Sequence, residues 1–346
     1  MRRALQRFQV SNRIEPTILI SGDTIGKAGF FGMKKGFILF LVLWLLTATA
    51  LAADLSAVGQ TVGIRLQEEG VTITGFTETG SAAESGLKAG DRILRINGTE
   101  ITTAAEIGGL IGSGGPVAVT VERDGREAEY LLQPVQSEGR WLLGLRIRDS
   151  VAGIGTLTFY DPESGAYGAL GHGVTAPEGE GLLSLAGGEL IPSSVVGVER
   201  GKRGAAGRLL GEFDPSVRLG TVEKNTGCGI FGTMAAGREL GVGCEAAVRG
   251  EIHTGPAVIR SNVSGTAVQE YDVQILKIYP NEPERNLLLE VTDPALLAQT
   301  GGIVQGMSGS PIMQDGKLVG AVTHVLVGDP SKGYGIFLDN MLAAAA

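Results

Sequence analysis

Glycine is the residue that most restricts how this chain can fold. The chain has 55 glycines among its 346 residues, about twice the usual share near 7%. They are spread among valine, isoleucine, leucine and threonine and are not gathered into repeats. Glycine disfavours helices and permits tight turns, whereas β-branched residues favour strands. The pattern therefore predicts a mainly β protein with many short strands.

Length and charge narrow the classes of function. A chain of 346 residues has room for two or three folded units. The formal net charge is −8 and no long run of lysine or arginine occurs, which argues against nucleic acid as a partner. No pair of histidines or cysteines has the spacing of zinc ligands, so we expect no metal and no other cofactor.

The first 53 residues are typical of a processing region. Two lysines are followed by an apolar run over residues 37–46 and then by alternating alanines, as in a secretory signal. We interpret residues 33–53 as a signal peptide or a signal anchor, because the apolar run is short for a membrane span. Residues 1–32 carry charges that are unusual ahead of such a signal. We expect translation to begin at Met33 and residues 1–32 to be unstructured.

A dense series of turn and strand signals follows. Residues 81–86 are small, Gly90-Asp91 predicts a turn, Ile93 to Ile96 form an apolar strand, and Asn97-Gly98 predicts a turn with positive φ. This succession resembles a PDZ domain. We assign residues 55–135 to it.

PDZ domains bind a peptide as an extra strand, and amides of a glycine-containing loop hold the end of the peptide. We expect that loop at Val62, Gly63 and Ile64, and the neighbouring helix over residues 104–111. Peptide termini are the expected ligands of this unit.

Residues 140–346 form the second expected unit, with a chymotrypsin-like double β-barrel. Its strongest chemical signal is the segment 306–311, Gly-Met-Ser-Gly-Ser-Pro, which resembles the nucleophile hairpin of chymotrypsin-like peptidases. The glycine two positions before the serine lets the amides of Gly306 and Ser308 converge on an oxyanion. The position of Pro311 favours Ser308 over Ser310 as the nucleophile.

A serine nucleophile needs a base, which is usually histidine. The chain has three histidines, His172, His253 and His324. His172 lies between two glycines far ahead of Ser308, in the order expected for a base on the first barrel and a nucleophile on the second. We therefore predict that His172 is the general base.

The third member of a triad is open on spacing. Asp214 and Asp293 each precede a proline and could each orient the imidazole. Asp214 lies between His172 and Ser308 at chymotrypsin-like intervals, whereas Asp293 lies only shortly before Ser308. Spacing alone therefore prefers Asp214.

Cys228 and Cys244 are the only cysteines. Both lie in glycine-rich, strand-like segments, where buried thiols are the simpler expectation. An exported protein also permits a disulfide between them.

The leader, the PDZ unit ahead of the peptidase unit, Gly-His-Gly at 171–173 and the stretch 292–311 together resemble the stage IV sporulation protein B peptidase family. The resemblance implies a serine endopeptidase that is exported from the forespore of an endospore-forming bacterium into the intermembrane space. It implies self-cleavage and cleavage of a regulatory membrane protein, which triggers intramembrane proteolysis and activates a late sigma factor.

The resemblance also bears on individual residues. In that family the aspartate of the Thr-Asp-Pro segment is tied to the active site, which implies Asp293 as the third triad member, and we follow the family over the spacing. Met307 occupies the position where many chymotrypsin-like enzymes carry an acid that pairs with a newly cut amino terminus. That activation route is closed to this chain, and we expect self-cleavage or engagement of the PDZ unit in its place.

Two other functions fit parts of the pattern. A quality-control protease of the high-temperature-requirement type is also exported and PDZ-bearing, but it carries its PDZ unit after the peptidase unit. A catalytically inactive PDZ scaffold is the other alternative. Retention of both His172 and the Ser308 hairpin argues against a scaffold.

Overall fold

The computed structural model describes residues 55–112, 114–177 and 181–346, which belong to one compact unit. The interpretations of residues 1–32 and 33–53 lie outside these described residues. Within the described ranges, no helix is long and apolar enough to cross a membrane.

Strands dominate the structure, which confirms the prediction of a mainly β protein. They are β1 (Leu55–Ala57), β2 (Thr61–Phe76), β3 (Arg92–Ile96), β4 (Thr99–Glu100), β5 (Val117–Arg123), β6 (Arg126–Leu132), β7 (Val135–Ser137), β8 (Arg140–Leu142), β9 (Leu145–Tyr160), β10 (Ala166–Ala169), β11 (Leu185–Glu199), β12 (Arg208–Phe213), β13 (Gly220–Val222), β14 (Lys224–Thr226), β15 (Gly229–Thr233), β16 (Val242–Cys244), β17 (Gly255–Ser261), β18 (Gln269–Ile278), β19 (Leu287–Val291), β20 (Pro311–Gln314), β21 (Lys317–Val325) and β22 (Lys332–Phe337). The described α-helices are α1 (Ala104–Leu110), α2 (Pro294–Thr300) and α3 (Leu338–Ala345).

Six strands close into a barrel in the order β17-β18-β19-β22-β21-β20. Apolar side chains that alternate along these strands fill its interior, as the pleat of a strand requires. Helix α2 joins this core through Leu296. The segment that carries Ser308 enters the barrel wall directly before β20. This barrel therefore positions the expected nucleophile.

A second core lies among strands of the large sheet. The first half of β2 pairs with β9 on one edge and with β11 on the other. Strand β9 continues through β10 to β15, and β11 pairs with β13. A bridge between Gly220 and Met234 links the β13 and β15 segments. These strands surround an apolar core that includes Leu66, Leu157 and Ile230.

The PDZ part has its own core, built from the second half of β2, from β3, β5 and β6, and from α1. The expected helix at 104–111 is α1, and the expected hairpin turn at Asp124-Gly125 joins β5 to β6 with both residues at positive φ. The start of β9 also packs into this core through Leu145 and Ile147.

The structure divides the chain at points other than those expected from the sequence. Residues 55–68, expected within the PDZ unit, pack through Val58, Val62 and Leu66 into the second core. Strand β9 belongs to both parts, because its first residues pack in the PDZ core and its last residues in the second core. The long strands β2 and β9 thus join the PDZ part to the peptidase part.

The expected peptide-binding loop at Val62, Gly63 and Ile64 is a strand in the structure. These residues pair with β9 and β11 on the two edges of β2, and a side chain at Gly63 would collide with Ile191. A strand that is paired on both edges cannot accept a further strand. This loop assignment was therefore wrong, since the glycine serves close packing between strands and not a turn.

Cys228 and Cys244 are both free thiols. Burial raises the pKa of each thiol. The structure therefore has no disulfide between them, in agreement with the simpler of the two expectations.

Candidate active site

The segment that carries Ser308 forms a tight hairpin between α2 and β20. Gly306 and Gly309 have φ values of 99° and 96°, a region that non-glycine residues rarely adopt. The turn is closed by hydrogen bonds from Met307 N to Val304 O and from Ser310 N to Met307 O. Met307 itself is fully buried in the barrel core. The two glycines thus allow the sharp bends on either side of Ser308.

Two backbone amides in this hairpin have no acceptor among the described residues. They are the amides of Gly306 and Ser308, whereas the amides of Met307 and Gly309 are both hydrogen-bonded. Unpaired amides that flank a serine are the donors that an oxyanion hole requires. The observation agrees with the roles predicted for these two residues.

The hydroxyl of Ser308 donates a hydrogen bond to the carbonyl of Thr323 at 2.7 Å. No hydrogen bond joins Ser308 to His172 within the described ranges. A rotation of the Ser308 side chain away from Thr323 must therefore precede proton transfer to an imidazole. Such loose contacts are common before substrate is bound.

Two buried threonines of β9 hold the hairpin from behind. Thr156 Oγ1 donates to Gly306 O at 2.7 Å, and Thr158 Oγ1 donates to Gly309 O at 2.8 Å. The amide of Thr156 also donates to Ser308 O at 2.9 Å. Sequence reasoning missed both threonines, although a Thr-x-Thr pattern within an apolar strand is a signal of buried hydroxyls on one face.

His172 lies in a bend that packs against the barrel of Ser308. Leu170 and Gly171 both have positive φ, and a side chain at Gly171 would press on Thr323 and Ile336. The amide of Leu170 donates to Thr156 O at 3.2 Å. The same residue of β9 therefore contacts the histidine bend and the nucleophile hairpin.

The hydrogen bonds of His172 define its tautomer. Its Nδ1 lies 2.9 Å from the carbonyl oxygen of Gly173. A carbonyl can only accept, so Nδ1 carries the proton in this contact. In the neutral ring this leaves Nε2 unprotonated, which is the form that a general base needs.

A second imidazole lies beside His172. The ring centroids of His172 and His324 are 4.8 Å apart, with planes inclined at 37°. Burial lowers the pKa of His324 to about 4, and the charges of His172 and Arg285 lower it further. Burial also lowers the pKa of His172, although the Gly173 carbonyl and the charge of Glu284 act in the opposite direction. Both rings are therefore neutral at pH 7.

The two aspartates considered for the triad do not contact His172 in the described part of the chain. Asp293 is the N-cap of α2, where its Oδ1 accepts from Leu296 N at 2.8 Å. Asp214 is exposed and accepts from the amide and hydroxyl of Ser216, which lowers its pKa. The assignment of Asp293 as the third triad member stays a prediction.

The carboxylate that acts on His172 is that of Glu284, which sequence reasoning did not consider. Gly173 packs against Thr226, and a side chain at the adjacent Gly227 would collide with the Glu284 carboxylate. Glu284 is exposed, and its negative charge raises the pKa of His172. It lies far from His172 in sequence, so only the fold brings the two together.

Ser308, His172 and His324 line one cleft of 660 Å³. Its walls are mainly apolar and come from both barrels, as shown by Leu66, Ile154, Leu170, Leu209, Ile303 and Val325. The third histidine, His253, is exposed elsewhere and binds Asp315 at 2.9 Å. Across the described ranges, no group of three or more histidine, cysteine, aspartate or glutamate residues could hold a metal ion.

The comparisons with known proteins agree with this geometry. Residues 139–342 match the family model described as SpoIVB peptidase S55, and residues 54–121 match the PDZ domain model. The chain is thus a serine peptidase, a hydrolase of peptide bonds, that carries a PDZ domain ahead of its catalytic part. It belongs to the SpoIVB peptidase S55 family, as the resemblance at positions 171–173 and 292–311 implied.

Two similar proteins extend the comparison. One is Atu1380 of Agrobacterium fabrum, whose name describes a zinc metalloprotease and which is 33% identical over 81 residues. That match covers 23% of this chain and 22% of the relative, so the chain spans only about a fifth of its length. The other is the crystal structure of the Rv3671c protease from M. tuberculosis in its active form. It overlaps 57% of this chain and 75% of its own, with a TM-score of 0.32 and 13% identity.

Proposed function

We propose that this peptidase is a signalling protease of endospore formation. In this proposal it is exported from the forespore into the space between the two membranes, where it remains free or anchored by residues 33–53. It cuts itself and a membrane-bound regulatory protein, which releases intramembrane proteolysis and activates a late sigma factor. Membership of the S55 family and the secretory pattern of residues 33–53 support the proposal.

In the proposed reaction, Ser308 Oγ attacks the carbonyl carbon of the scissile bond and its proton passes to Nε2 of His172. The amides of Gly306 and Ser308 donate to the resulting oxyanion. His172 then gives the proton to the departing amine, and water hydrolyses the acyl ester by the reverse proton route. The observation that carries this mechanism is the pair of unpaired amides beside Ser308, in one cleft with His172.

A complementation experiment tests the biological role. We would express the full chain in an endospore-forming bacterium that lacks its own S55 peptidase and count heat-resistant spores. The parent should restore spores, Ser308→Ala should not, and Ser310→Ala should behave like the parent because the Ser310 hydroxyl has no hydrogen-bond partner among the described residues. Restoration by Ser308→Ala would contradict a proteolytic role.

Self-cleavage is tested separately on the purified protein. Mass spectrometry of the parent should find fragments that are missing from Ser308→Ala purified in the same way. Equal fragments from both proteins would assign the cuts to a protease of the expression host.

A further inference from the structure

Strand β9 has a free edge that connects the PDZ part with the catalytic cleft. From Leu145 to Gly155 its only strand partner among the described residues is β2. At its start β9 lies beside α1, since Asp149 accepts from the amide of Ala104 at 2.8 Å. An open strand edge next to a helix is where a peptide can add as a further strand.

A groove of 550 Å³ lies between α1 and the segment that leads into β9. Its lining is mainly apolar, with Ile107 and Ile111 from α1 and with Trp141, Leu145 and Ile147 from the opposite side. Arg140 is the only charged residue among its described lining residues. The groove therefore suits an apolar segment that carries a negative charge.

The loop at the closed end of the groove offers backbone donors. Leu143 O accepts from Ala82 N at 3.1 Å, and Gly144 O accepts from Thr77 N at 2.9 Å. In a trans peptide the N–H points opposite to the C=O of the same unit, so the amides of Gly144 and Leu145 point away from these partners. Neither amide has an acceptor among the described residues outside the strand ladders.

We propose that this groove binds the carboxyl end of another polypeptide with an apolar last residue. The amides of Gly144 and Leu145 and the charge of Arg140 hold its carboxylate, the apolar lining holds its last side chain, and its backbone pairs with the free edge of β9. The site thus combines a helix of the PDZ match with a strand of the peptidase match, and it replaces the loop expected at residues 62–64.

The occupant is a different chain. The carboxyl end of this protein forms α3, whose residues pack in a separate core, and Lys224 Nζ donates to Ala345 O at 2.7 Å. These contacts hold the carboxyl end of the chain in place within its own fold.

The direction of the added strand links the groove to catalysis. With its carboxylate at Gly144, the peptide runs antiparallel to β9, so that its upstream residues pass toward Ile154. Residues 151–154 line the catalytic cleft. At about 3.3 Å per residue, the edge from Leu145 to Ile154 is roughly 30 Å long. A docked carboxyl end therefore places a residue about ten positions upstream at the cleft. This step rests on the proposed function, whereas the binding does not.

The test measures binding to the full chain with Ser308→Ala, so that catalysis plays no part. The probe is a fluorescein-labelled hexapeptide that ends in leucine with a free carboxylate, compared by anisotropy with the same peptide as a carboxamide. We expect the carboxamide to bind at least tenfold more weakly. Equal binding of both peptides, or no binding of the free acid at 1 mM (roughly the weak limit of specific recognition), would overturn the proposal.

Two glycines of α1 provide matched variants. Gly108 lines the groove and Gly109 does not, and an added side chain meets nothing within 4 Å at either position. Gly108→Glu fills the groove with a repelling charge and should weaken binding at least tenfold, whereas Gly109→Glu should bind like the parent. Glutamate favours helix over glycine, so both variants should fold. Binding by Gly108→Glu at parent strength would place the peptide elsewhere.

Hydrogen exchange locates the peptide on the strand. The free acid should slow exchange of the segment 143–149 and leave the segment 61–67 unchanged, because the latter is already paired on both edges. Protection confined to residues 61–67 would contradict the proposed site.

Discussion

Removal of the Thr156 hydroxyl tests how β9 supports the nucleophile hairpin. Thr156 is fully buried, and its hydroxyl is hydrogen-bonded to Gly306 O at 2.7 Å. Thr156→Val keeps the shape of the side chain and leaves that carbonyl without its partner. Because the peptide units around Gly306 present the proposed oxyanion amides, their orientation should become less well defined.

The expected magnitude follows from the burial of this bond. A buried acceptor that loses its donor costs about 1–3 kcal/mol, and about 1.4 kcal/mol corresponds to a factor of ten. If the loss falls on the hairpin conformation that binds the oxyanion, kcat/KM should fall roughly 5- to 150-fold. The free energy of unfolding should fall by a similar energy of about 1–3 kcal/mol.

Thr158→Val is the matched control. Its hydroxyl bonds Gly309 O at 2.8 Å, beyond the nucleophile, so it should lose similar stability and much less activity. Thr156→Ser retains a hydroxyl and should recover most of the activity. The assay combines thermal unfolding with the rate of fluorophosphonate labelling. Equal losses of labelling rate in the two valine variants, or a parent-like rate in Thr156→Val, would refute the reasoning.

Three further predictions concern the charges around the site. The acid limb of kcat/KM against pH should have its midpoint below 6.5, because burial lowers the pKa of His172 and the ring stays unprotonated to lower pH; a midpoint above 6.5 would contradict this. Glu284→Gln removes a charge that raises this pKa, so the limb should move to still lower pH, while the exposed control Glu282→Gln should leave the profile unchanged. Asp293→Ala should lower the free energy of unfolding by about 1 kcal/mol through loss of the helix cap, and Asp293→Asn should keep the cap and the pH profile. A large loss of labelling in Asp293→Asn at unchanged stability would instead place Asp293 in the triad, as the family resemblance implies.

Local signals in the sequence predicted those parts of the fold that local chemistry decides. Asp124-Gly125 adopts the positive φ values of a hairpin turn, and the segment 306–311 forms the expected tight hairpin. In each case the glycines are needed by the backbone itself. Such requirements can be recognised without knowledge of distant contacts.

The long strands could not be predicted in this way. Gly63 and Gly155 suggest interruptions, yet both lie inside continuous strands of 16 residues. A side chain at Gly155 would collide with Leu170 and Ile64, so this glycine allows close approach of neighbouring segments. Contacts of this kind depend on the tertiary structure, which a single strand pattern does not contain.

The same distinction applies to the acids of the site. Asp293-Pro294 is also a typical helix start, with a capping side chain followed by proline at the first position, and the structure has that helix. Glu284 shows no such local pattern. Its effect on His172 arises because the chain before β19 passes beside Gly227.

The identity of the nucleophile is the central claim, and the site of covalent labelling tests it most directly. The full chain would be treated with a fluorophosphonate, digested and sequenced by mass spectrometry, with Ser308→Ala and Ser310→Ala treated in parallel. We expect the adduct on Ser308 in the parent and in Ser310→Ala, and none in Ser308→Ala. An adduct on Ser310, or labelling that persists in Ser308→Ala, would contradict the account.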